Sequence, residues 1–267
     1  MESTIHFVGV DLAWSVRNAT GIAVIEAVEK DGRILSARLV HALTAESDEE
    51  ILKEILLNTS DHVHVAIDAP LVVPNENGRR RADHVISQLF RTYHAGAYPA
   101  NRTRLSQWSG YVRGERLGTL LEQEGFCQQT HPGKTRMRKT FFEVYPHPSM
   151  VVLFGLDKVL RYKAKPKHDY ATRWEAFRKY QQHLRSLEQA YPPLHLSAEI
   201  IERDLTGLRG KALKHQEDML DAIFCAYVAE FSFAKPEECA VIGTLQDGYI
   251  TTPVFRHMRD EIAKNQI

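Results

Sequence analysis

The sequence predicts an α/β fold on a five-stranded mixed sheet, three antiparallel strands followed by two parallel ones, with helices on its faces. Three observations carry that expectation. Residues 5–71 hold three short β-rich runs, then an amphipathic helical stretch, then a fourth β-rich run. An Asp31-Gly32 pair separates the second and third runs, a hairpin signal that makes them antiparallel neighbours. The helical stretch before the fourth run is the crossover that a parallel neighbour requires.

Taken in order, "IHFVGVDLAW" (5–14) is an apolar run suited to a buried strand, and "GIAVIEAVE" (21–29) is a second. "RILSARLVHAL" (33–43) alternates and makes the third. In "SDEEILKEILL", Ser47 with Glu50 fits a capping box, and Ile51, Leu52, Ile55 and Leu56 form one helical stripe. "HVHVAIDAPL" (62–71) is the fourth strand, ended by Pro70 and expected beside the first and parallel to it. Residues 75–135 break the pattern and read as a Gly-, Arg-, Asn- and Gln-rich insert, with helical pieces near 80–92 and 115–124. "RKTFFEVYPHPS" (138–149) is the fifth strand, stopped by Pro146 and Pro148. Residues 155–210 read as mostly helical, most clearly in "YATRWEAFRKYQQHLRSLEQAY". "EDMLDAIFCAYVAE" (217–230) is a helix apolar on most of its circumference, hence buried. A β-hairpin around Asp247-Gly248, at about 240–254, closes what reads as one domain over 1–267.

Composition narrows the function classes. The chain has 267 residues, 43% of them hydrophobic and 25% charged, as in an ordinary soluble globular protein. Its formal net charge is zero, so the molecule as a whole is not a basic nucleic-acid binder. Cys127, Cys225 and Cys239 are widely spaced and make no ligand pattern; they read as reduced thiols of a cytoplasmic protein. No run of 18 apolar residues exists, so no membrane partner is expected. The opening segment has no basic region and its apolar run is interrupted by Asp11, so no secretory leader is expected either.

Five acids sit in unusually apolar settings: Asp11 in "VGVDLAW", Asp68 in "VAIDAPL", Glu143 in "FFEVYP", and Asp218 and Asp221 on the last helix. A single such acid is as readily a strand-end cap or half of a buried salt bridge. Five in one domain repel one another, and Asp218 and Asp221, three apart, share one helical face. A hard divalent cation relieves that repulsion. Mg²⁺ or Mn²⁺ takes oxygen ligands from a few carboxylates, and two such ions would suit phosphodiester cleavage.

The order of elements, with "DMLDAIFCA" on the last helix, resembles the ribonuclease-H-like fold in its Holliday-junction-resolvase branch. More closely, "GVDLAW", "AIDAPL", the Arg80-x-x-Asp83 pair, "EVYPHPS", "DMLDAIFCAYVA" and "VIGTLQDGYITTP" resemble a domain-of-unknown-function family, number 429, of predicted nucleases. The resemblance covers nearly the whole chain. It implies a metal-dependent nuclease in which Asp11, Asp68, and Asp218 or Asp221 hold the metal, with Glu143 a further ligand. Ribonuclease H proper takes an acid from its first helix. Glu50 and Glu54 look instead like capping and surface residues, which favours the resolvase-like arrangement.

The insert bears on the substrate. Residues 79–139 carry twelve Lys or Arg, Arg79 to Arg81 in a row, against four acids, a local balance of +8. Such a run is often only a solvated face. Beside an acidic metal site, with Tyr93, Tyr98, Trp108 and Tyr111 interleaved, it suits nucleic acid or a nucleotide, and Arg80, Arg81 and Asp83 are the candidate substrate-binding residues. Residues 161–179 read as a second basic, helical region. "PGKT" (132–135) lacks the earlier glycine of a phosphate loop, position 128 being Gln. His94, His147 and His215 lie near the motifs but suit structural roles equally. Two further readings stand: an actin- or sugar-kinase-like phosphotransferase, against which "DLAWS" lacks the expected glycine, and a catalytically silent nucleic-acid-binding module.

Overall fold

A computed structural model describes residues 1–134, 137–166 and 168–265. Its centre is a mixed sheet. β1 (Ser3–Asp11), β2 (Thr20–Lys30) and β3 (Arg33–Ala45) form an antiparallel meander. Asp31 (φ 53°) and Gly32 (φ 79°) make the tight turn between β2 and β3, both in the left-handed region that Asp and Gly tolerate. Helix α1 (Asp48–Leu57) starts where Ser47 accepts a hydrogen bond from the Glu50 amide, and it crosses over to β4 (Val63–Ile67), parallel to β1.

The chain then passes through α2 (Arg81–Leu89), α3 (Arg102–Leu105) and α4 (Arg113–Gln123) before returning as β5 (Cys127–Gln128) and β6 (Lys139–Glu143). The sheet therefore has six strands in the order β3-β2-β1-β4-β6-β5, one more than expected. The added strand is two residues long, too short to show a periodicity. The expected strand at 138–149 is also shorter. It stops at Glu143, and Pro146 opens helix α5 (Pro146–Leu153), where a missing amide proton does no harm.

Beyond α5, residues 161–166 and 168–169 are loop rather than the expected helix, and α6 (Tyr170–Ser186) follows. After the one-turn α7 (Ala198–Ile201) comes α8 (Gly210–Ala234), the longest helix described. The chain ends with the hairpin β7 (Cys239–Thr244) and β8 (Gly248–Pro253), then α9 (Arg259–Asn265).

Strand alternation divides the core. Phe7, Ala66 and Phe142 point to the face covered by α6 and α8, while Val8, Val10, Val65, Ile67 and Phe141 point to the face covered by α1 and α4. A smaller cluster joins α2, α5, β7, β8 and α9. No described helix is long and apolar enough to cross a membrane.

Candidate active site

Val10 and Ile67 are register partners on the parallel strands β1 and β4, and the Asp68 amide donates to Val10 O at 2.8 Å. The next residues, Asp11 and Asp68, therefore emerge side by side at the carboxyl ends of the two strands. Alternation turns both toward α8. Two glycines let that helix press onto the sheet. A Cβ on Gly9 would lie 2.0 Å from Ala222 O, and one on Gly21, the β2 partner of Asp11, would lie 2.0 Å from Asp218 O. Backbone contact at these two points sets Asp218 and Asp221 against Asp11.

The carboxylates crowd. Asp11 and Asp218 lie close enough for each carboxylate to bear on the other. Burial raises the Asp11 pKa to about 6, with Asp218 and Glu217 pushing the same way against Lys163 and Lys214. Burial also raises Asp221 to about 6, Asp68 well above the ordinary carboxyl range, and Asp218 upward. Asp68 is the only one of these four aspartates that is partly exposed.

Two lysines meet this charge. Lys163 Nζ lies 2.5 Å from Asp221 Oδ2 and 3.7 Å from Glu217. Lys214 bonds Glu217 at 2.8 Å and also contacts Asp218. Tyr162 and Tyr180 donate to Asp221 Oδ1 at 2.8 and 3.3 Å. Glu217, 3% exposed, is a further buried acid of the cluster and also faces Arg173. Sequence reasoning missed Glu217, Lys163 and Lys214. The spacing Lys214, Glu217, Asp218 is an i, i+3, i+4 ion-pair pattern that could have exposed two of them; nothing local marks Lys163.

Glu143 is placed differently. It is the register partner of Ile67, so it points off the face opposite Asp68. Arg80 holds it with two bonds, NH2 to Oε1 at 2.6 Å and NH1 to Oε2 at 2.9 Å, and the Leu71 amide donates to Oε2. Burial raises its pKa to about 7 against the pull of Arg80. Arg80 also pairs with Asp83 at 2.8 Å, and Asp83 accepts the Ala100 amide. Thus Arg80 and Asp83, the candidate substrate-binding residues, form a buried triad with Glu143 that lines the same cleft as Asp68; Arg80 is only 3% exposed. Arg81, the third candidate, is exposed on the far side, near Gly243 and Asp247.

Several of the insert's cations are paired as well. Arg113 is buried against Asp48 at 2.7 Å, and Arg102 meets Glu115 at 2.8 Å. Arg104 stacks instead, 5.1 Å over the Trp14 ring and 5.6 Å over that of Tyr98. In "PGKT", Gly133 packs against the α8 carbonyls of Ser232 and Phe233, while Thr135 and the nearby Arg136 lie outside the described residues. His94 and His147 line a cleft beside the cluster, and His215 is exposed.

Among the described residues no three His, Cys, Asp or Glu side chains are already arranged around one cation position. The donor set nonetheless fits a hard divalent ion. It consists of carboxylate oxygens crowded enough to raise their pKa values, and Asp221 Oδ2 is buried against the Lys163 charge alone.

A family model described as "Protein of unknown function (DUF429)" matches residues 9–244, from β1 to the end of β7. Neither a curated protein nor a solved structure shows a significant match.

Proposed function

The chain belongs to this family of unknown function, and from the site we propose that it is a Mg²⁺- or Mn²⁺-dependent phosphodiester hydrolase of ribonuclease-H-like fold, acting in the cytoplasm on nucleic acid or a nucleotide. The observation that carries the reading is the convergence of Asp11, Asp68, Asp218 and Asp221, with raised pKa values, at the ends of two parallel strands under one helix. The β-β-β-α-β order, with α8 bringing acids back to the strand ends, supports the fold name.

Those four aspartates would hold the cation. When bound, one or two such ions supply an activated water and charge stabilisation at the leaving oxygen. The chain's own residues do the rest. Lys163 and Lys214 balance the charge of the cluster, and a bound cation would pull the raised carboxyl pKa values back down. Tyr162 and Tyr180 fix the Asp221 carboxylate by its Oδ1, leaving Oδ2 directed at the Lys163 position. Asp68 opens on a narrow cleft lined also by Trp14, Tyr98, Tyr145 and the Arg80–Asp83–Glu143 triad.

Asp218→Asn tests the reading. It should abolish Mn²⁺-dependent phosphodiester cleavage and leave metal-free stability unchanged or slightly higher. Lys214 keeps Glu217 as a partner and is 50% exposed, and the repulsion at Asp11 falls. A loss of several kcal/mol in chelator would instead make Asp218 a structural partner. One observation favours a second reading, the catalytically silent module: the lysines already compensate the cluster, so an absence of Mn²⁺ binding by calorimetry would select it.

A further inference from the structure

The loop between α5 and α6 forms one wall of an open cleft of about 260 Å³. His94, His147, Lys158, Arg161, Lys163 and Lys165 line it, and its lining contains no carboxylate. In a chain of zero net charge this is a placed concentration of cations, not an average one. Lys158, Arg161 and Lys165 are exposed, and none of them pairs with a described carboxylate, unlike Arg80, Arg113 and Arg173.

The loop is pinned from within. The Val159 amide donates to Tyr93 O at 2.9 Å, Arg173 Nε donates to Tyr162 O at 2.8 Å, and the His168 ring meets Lys163 O at 3.0 Å. Tyr162 is fully buried and reaches Asp221, which carries the adjacent Lys163 to the carboxylates. The backbone thus holds several like charges around one concavity with nothing described between them, an arrangement that favours an anion. The cleft also adjoins the first one: Lys165 Nζ lies 5.8 Å over the ring of Tyr98, which lines the slot beside Asp68. Burial pushes the His147 pKa well down, so at neutral pH it serves as an uncharged hydrogen-bonding group.

We propose that this cleft is the subsite for the substrate's phosphate groups, set so that a phosphate held by Lys158, Arg161 and Lys165 lies next to the Asp68–Asp221 cluster. The proposal rests on the phosphodiesterase reading for what is cleaved, and on the cleft alone for what is bound. The phosphates belong either to a free nucleotide or to the backbone of a strand; both offer the same oxyanions.

The experiment titrates the full chain with pyrophosphate, a nucleoside triphosphate and a single-stranded oligonucleotide lacking terminal phosphates, without added metal. It then repeats each titration with Arg161→Glu/Lys165→Glu and with Lys158→Glu. These are exposed loop positions, and circular dichroism checks that the variants stay folded. At least tenfold weaker binding in the variants is expected. Pyrophosphate and triphosphate binding without oligonucleotide binding assigns the site to free nucleotides. Oligonucleotide binding whose salt dependence flattens by about one unit for each lost cation assigns it to strands. Equal affinity in wild type and variants, or no binding of any of the three probes by wild type, overturns the proposal. Mn²⁺ binding measured in parallel keeps the two readings apart. Its absence with phosphate binding intact defeats the hydrolase reading and leaves the subsite standing.

Discussion

Lys163→Met asks most directly what the carboxylate cluster is for. Methionine keeps a long flexible apolar stem and deletes the charge. Asp221, 0% exposed, then faces Asp11, Asp68 and Glu217 without its nearest cation, with Tyr162 and Tyr180 still donating and Lys214 engaged on Glu217 and Asp218. A buried carboxylate in that position takes up a proton sooner than it stays charged, and this caps the cost. With the lysine present, burial already lifts Asp221 from 3.8 to about 6, worth about 3 kcal/mol above that pH. Keeping it fully protonated at pH 7 costs about 4 kcal/mol, so the variant loses roughly 1–2 kcal/mol more. Asp11, also at about 6 and opposed chiefly by Lys163, adds a similar amount. The total of about 3 kcal/mol meets the lower end of the roughly 3–5 kcal/mol measured for breaking buried ion pairs. Each folded pKa lies above its unfolded value, so stability falls as pH rises between the two. In the variant that interval extends above pH 6, at about 1.4 kcal/mol per pH unit for each carboxyl. Urea denaturation in chelator at pH 6, 7 and 8 should therefore show a deficit that is small at pH 6 and grows with pH, and Mn²⁺ should remove most of it. If Mn²⁺ leaves the deficit unchanged at all three pH values, Lys163 is a permanent counter-ion and the cation reading fails.

Other substitutions test the supporting structure. Arg80→Met leaves Glu143 and Asp83 buried without their cation and should cost about 3–5 kcal/mol by chemical denaturation; a loss under about 1 kcal/mol would refute the buried triad. Gly21→Ala places a methyl where Asp218 O already lies, so α8 must lift. It should cost about 1–3 kcal/mol and weaken Mn²⁺ binding at least tenfold, and unchanged Mn²⁺ affinity would mean that this contact does not set the site. Glu230 is fully buried on α8 with neither oxygen hydrogen-bonded, and burial raises its pKa well above 4.5. The folded state therefore keeps a proton that the unfolded state loses, and stability declines as pH rises from about 4.5 toward the folded value. Glu230→Gln should flatten that decline between pH 5 and 8, and an unaltered pH–stability slope would show that the carboxyl is not protonated in the native state.

The repulsive half of the site was legible in the sequence, and the compensating half was not, for a physical reason. Asp11 and Asp68 each interrupt an apolar strand, and Asp218 and Asp221 share a face of an apolar helix, so local pattern alone shows that these charges are buried. The crossover before β4 then brings the two strand ends together. What neutralises them comes from elsewhere in the chain. Lys163 sits in a charged loop 58 residues before Asp221, in a segment that reads as a basic helical region, and reaches the cluster because Tyr162 is buried beside it. The same asymmetry governs the insert. Three consecutive arginines read as a basic surface, yet Arg80 lies under the sheet edge, because Glu143 points off the other face of β6 and needs a cation there. Acids in apolar runs thus mark where a positive charge must arrive, while the identity of that charge is a tertiary fact. At Glu143 it is Arg80, bound through both of its oxygens. At Asp221 it is a single lysine, 23% exposed, held against one carboxylate oxygen at 2.5 Å. The first arrangement is closed on itself. The second leaves a position that a divalent ion can take from the lysine, and this difference is why the α8 cluster, and not the Arg80 triad, is the candidate centre of chemistry.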